Sequence, residues 1–97
     1  MEVSKNTHKP TALEFRNLLR EIRERRGFTQ ADIANRLGVQ QSFVSKYEVG
    51  ERRLDFPETV EVCAALEIRL SDFTKLYLKR VSNAAGGKLS SEQKRTK

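Results

Sequence analysis

Between Gln40 and Lys46 the chain reads QQSFVSK, five polar side chains in seven positions. Gln makes paired hydrogen bonds with an adenine edge, Lys reaches O6 and N7 of guanine, and Ser is a short donor and acceptor. Gln40, Gln41, Ser42, Ser45 and Lys46 therefore suit the reading of base edges in a duplex groove. Phe43 is either partly buried or offered to a thymine methyl. Phosphates need other groups. Gln30 opens a predicted helix, where free backbone N–H groups and the positive dipole end attract anions. Lys46 and the loop arginines Arg52 and Arg53 are placed to flank the groove, a contact that sets register rather than selects bases. The plainer reading of such a face is a solvated helix surface.

Whether these side chains act together depends on the elements that carry them. The stretch FTQADIANRLGVQQSFVSKYEVG predicts two short helices around a tight corner. The first spans about residues 30–37, with Thr29 as N-cap and Asp32 three residues on, as in a short-armed capping box. Gly38 ends it, where positive φ costs glycine little. The second spans about 41–49 and stops at Gly50. Ile33, Ala34 and Leu37 are expected to pack with Val39, Val44 and Tyr47. Ala34 matters because a larger side chain would push the helices apart. With Val44 and Tyr47 inward, the polar set points outward, the geometry of a helix-turn-helix. Gln40 is a poor N-cap, so the start of the reading helix is expected to be loosely held. Tyr47 needs a hydrogen-bond partner if buried.

Three more helices complete an all-α domain. One runs from about Thr11 to Arg26, with Phe15, Leu18, Leu19 and Ile22 at three- and four-residue spacing, started by Pro10 and stopped by Gly27. A fourth, about 56–66, is expected to bury Val60, Cys63 and Ala64. A fifth, about 70–81, has Ser71 as its expected cap and Asp72 favourable to its dipole. Its Leu70, Phe73, Leu76 and Tyr77 either form a dimer contact or cover the first and fourth helices. The domain is read as residues 11–82, between a loose arm at 1–10 and a basic, disordered tail at 83–97.

Composition narrows the function classes. The 97 residues carry a net charge of +6, enough for one small domain and compatible with a polyanionic partner. Residues 88–97 hold four basic groups against one acidic. That tail is either a source of non-specific attraction or a solubilising end. The lone Cys63 and lone His8 exclude a disulfide within the chain and leave too few soft ligands for a metal site. No apolar run reaches membrane length and no secretory core is present, so a reducing cytoplasm fits. No catalytic triad, cleft carboxylate pair or phosphate loop can be assembled, and Glu58 and Glu61 are assigned to a charged outer face. Neither an enzyme nor a cofactor is expected.

LLREIRERRGFTQADIANRLGVQQSFVSKYEVGERRLD, followed by FPETVEVCAALEI, resembles the lambda/434 repressor and Cro type of helix-turn-helix domain. The resemblance implies a compact five-helix domain that binds operator DNA as a dimer and regulates transcription, usually as a repressor. It places the main base-reading positions at Gln41, Ser42 and Lys46, and phosphate contacts at Gln30 and the loop from Gly50 to Arg53. It also implies an ion pair between Arg23 and Glu48, against the alternative of a solvated surface pair. A different class of function is a protein-interaction module, such as an antitoxin or co-regulator acting through a toxin or another protein partner.

Overall fold

The computed structural model describes residues 9–84. Most of the predicted arm and the tail from residue 85 onward lie outside the described residues. Five helices follow in order: α1 Pro10–Arg25, α2 Gln30–Leu37, α3 Gln41–Val49, α4 Phe56–Ala65 and α5 Leu70–Ala84. Local chemistry sets most of the boundaries. Pro10 occupies the first turn of α1, where its missing N–H costs nothing. Thr29 Oγ1 accepts from the Asp32 N–H at 3.0 Å, and Asp32 Oδ2 accepts from the Thr29 N–H at 2.8 Å. Asp55 and Glu58 form the same reciprocal box at the start of α4. Gly38 closes α2 at φ 72°, a conformation that strains any residue with a Cβ.

The core joins Leu18, Leu19 and Ile22 of α1 with Ile33 and Ala34 of α2, Val44 and Tyr47 of α3, and Val62, Cys63 and Phe73 beyond. Burial raises the Cys63 thiol to about 11, so it stays protonated and behaves as a packing residue. α5 lies along α1. Phe15 meets Phe73 and Tyr77 edge-on, each at 5.8 Å between ring centroids. The Tyr77 hydroxyl donates to the Thr11 carbonyl at 2.9 Å, and Arg80 pairs with Glu21 and Glu14.

Several expectations need correction. Val60 and Ala64 are exposed, whereas Thr59, Val62, Cys63 and Ala65 are buried. The inward stripe of α4 is rotated because its neighbours α2 and α5 select that phase. Val39, expected to pack between the two helices, is 36% exposed; its N–H ties the corner instead, donating to the Ala34 carbonyl at 3.0 Å. Ser71 is not the cap of α5, since it lies inside the first turn. Asn83 and Ala84, assigned to the tail, are helical. Phe73 is buried and Leu70 and Tyr77 pack against the core, so of the four α5 candidates only Leu76 remains exposed.

Candidate nucleic-acid interface

The corner between α2 and α3 fixes which face of α3 is presented. Ala34 is 2% exposed and Val44 is fully buried, so the two helices close directly on each other. Opposite them, Gln40, Gln41, Ser42 and Lys46 are exposed, and Ser45 is half-buried. Gln40 makes no side-chain cap to α3, as its residue type implies. Tyr47 is buried, and burial pushes its phenol above the ordinary tyrosine range.

Beneath this face runs a chain of charge-assisted hydrogen bonds. Arg23 Nε donates to Glu48 Oε2 at 2.7 Å and Arg23 Nη2 to Glu48 Oε1 at 3.0 Å. Arg23 Nη1 donates to the Phe28 carbonyl at 2.9 Å. Both residues are buried, so the pair is not the solvated contact weighed as the alternative. Its fork geometry ties α1 to the last turn of α3. The Glu48 hydrogen bonds hold the Arg23 guanidinium protonated more firmly than usual.

The chain continues outward. Gln30 Nε2 donates to Glu48 Oε1 at 2.9 Å. Gln41 Nε2 reaches Gln30 Oε1 at 3.4 Å, the long end of hydrogen bonding. Gln30 therefore links the buried ion pair to the reading face. Its place at the start of a helix pointed to a phosphate contact and gave no sign of this link.

The loop arginines divide. Arg53 is exposed. Arg52 is engaged: its guanidinium pairs with Glu58 and lies over the Phe43 ring, 4.6 Å from the centroid. Phe43 also meets Tyr47 edge-on at 5.9 Å and packs against the core. It is thus partly buried and packed, the first of the two arrangements expected of this ring. Glu58, assigned to the outer face, instead caps α4 and holds Arg52. Its role as a cap was legible in the Asp55-to-Glu58 spacing; its partner was not. Gly50 closes α3 at φ 90°, and a Cβ there would come within 2.7 Å of the Arg16 guanidinium.

No group of metal-binding residues is found among the described residues, and no described helix is long and apolar enough to cross a membrane. A short all-α domain with a buried corner, an outward polar helix and a basic loop defines a helix-turn-helix protein. The helix-turn-helix domain family HTH_31 matches residues 14–71, more than half of the chain, and the protein belongs to this family. It is of the lambda/434 repressor and Cro type.

Among solved structures, the restriction-modification controller protein C.Esp1396I is 20% identical, with a TM-score of 0.73 over 78% of this chain and 99% of that one. The controller protein C.AhdI from Aeromonas hydrophila is 28% identical, with a TM-score of 0.58 over 63% and 92%. The clp gene regulator ClgR from Corynebacterium glutamicum is 20% identical, with a TM-score of 0.67 over 86% and 85%. A comparison with curated proteins gives no match.

Proposed function

We propose that the protein binds double-stranded DNA sequence-specifically and regulates transcription as a dimer on inverted-repeat operators, with α3 in the major groove. The observation that carries this is the outward face of α3, held from below by the chain from Arg23 through Glu48 and Gln30 to Gln41. Gln41, Ser42 and Lys46 read base edges, with Gln40 and Ser45 at the margin. Arg53 and the N-terminal turn of α2 at Gln30 hold the phosphate backbone. C.Esp1396I, whose fold this chain shares, has been observed as a tetramer on its natural 35 base-pair operator.

One domain on one half-site binds weakly. A symmetric pair gains the second half-site at high effective concentration. Of the four α5 candidates, Leu76 is the one left exposed for that contact. In this reading the protein acts in the cytoplasm as a repressor and calls for no cofactor and no enzymatic step.

The test is selection from a random duplex library at near-physiological salt. An inverted repeat with half-site centres about one helical turn apart, roughly 34 Å, is expected. A protein that keeps its helical fold and enriches no sequence overturns this reading and favours a protein partner instead.

A further inference from the structure

We propose that Arg52 is a positioning residue for the reading helix, not a phosphate contact: it locks Phe43, and with it the roll of α3, to the capped start of α4. This rests on the DNA-binding reading of α3. Three observations place Arg52 in that role. Its backbone N–H donates to the Lys46 carbonyl at 3.2 Å, in the last turn of α3. Its guanidinium carbon lies 4.6 Å from the centroid of Phe43, a residue of α3 flanked by Ser42 and Val44. Its Nη2 pairs with Glu58 Oε2, while Glu58 Oε1 accepts from the Asp55 N–H at 3.0 Å. One side chain thus touches the ring of α3 and the carboxylate that begins α4.

The alternative, a phosphate clamp, sits badly with this geometry. The Glu58 carboxylate already offsets the guanidinium charge, and a duplex would have to displace it. Arg52 Nε is buried with no acceptor, so part of the head group faces protein rather than solvent. Arg53, the next residue, is exposed and takes the phosphate role at the same loop. A planar guanidinium both stacks on a ring and forks towards a carboxylate; a Lys ammonium does neither as well.

Arg52→Lys therefore keeps the charge and removes the brace. The readouts are the ratio of affinities for the selected duplex and for random duplex, and the salt dependence of the latter. The ratio is expected to fall about tenfold with the salt slope unchanged. Phe43→Leu lowers the ratio similarly, and the double variant falls no further than either single one. A thermal double-mutant cycle on the same pair, without DNA, reads the contact directly and controls for folding; coupling is expected.

Three results overturn the proposal. One is an undiminished ratio in Arg52→Lys. Another is zero thermal coupling. The third is an Arg52→Met variant that weakens both duplexes equally and shallows the salt slope by about one phosphate. If the wild-type chain selects no duplex, the DNA reading fails and takes this proposal with it. If it selects one and Arg52→Lys selects it equally well, only this proposal fails.

Discussion

Glu48 is the residue on which most of the site depends. It is 7% exposed and receives both Arg23 and Gln30. Glu48→Ala leaves the Arg23 charge buried without its partner, a loss on the order of 3–5 kcal/mol. Chemical denaturation checks this, and a midpoint close to wild type would show that the pair contributes little. Two other carboxylates make stability depend on pH. Asp32 lies below its ordinary pKa because the Thr29 N–H donates to it, and Glu21 because Arg80 does. A depressed folded-state pKa contributes stability above the unfolded value and loses it as pH falls through the folded one. The melting temperature is therefore expected to hold near neutrality and fall below about pH 4. Asp32→Asn should flatten part of that fall, and an identical acid profile would remove Asp32 from the account.

At the scale of elements, the α2–α3 corner and the α3 face make separable predictions. Ala34 is 2% exposed against its neighbours, so Ala34→Leu overpacks the corner and costs about 1–3 kcal/mol. Unchanged melting would mean that the helices can part without penalty. Replacing Gln41 or Lys46 by Ala is expected to weaken the selected site by roughly 1–3 kcal/mol per half-site and to blur base preference there. Arg53→Ala should instead weaken all duplexes evenly and shallow the salt dependence. Titration of each variant against selected and random duplex separates the two patterns; identical patterns would abolish the division between reading and backbone contacts. Gln41 carries a further condition, since its amide leans on Gln30. Gln30→Ala should therefore change base preference as well as overall affinity.

For the whole molecule, the proposed dimer contact on α5 makes its own prediction. Phe73 and Tyr77 are engaged with Phe15 of α1, while Leu76 is 45% exposed. Leu76→Glu is expected to leave the fold intact, shift sedimentation towards monomer, and reduce affinity for a two-half-site duplex far more than for a single half-site. An unchanged dimer would move the contact to another face. Charge belongs to the same scale. Residues 11–80 carry thirteen basic and eleven acidic groups, so attraction to DNA comes from the placement of cations, not from a large surplus within the domain.

Read by itself, the sequence determined where most of the helices begin and end. Thr29 with Asp32, Gly38 and Gly50 act through backbone hydrogen bonds and allowed φ values within a few residues of themselves. Such local chemistry is fully written in a short window. The inward positions Val44 and Tyr47 followed from it, and so did the outward polar run. Partners distant in the chain were decided by the tertiary structure. Arg23 and Glu48 stand 25 residues apart, and family resemblance rather than spacing brought them together. The Gln30 link, the Arg52 bond to Glu58 and the roll of α4 that exposes Val60 had no local signal. Each depends on which helix lies alongside, and only the packed core fixes that.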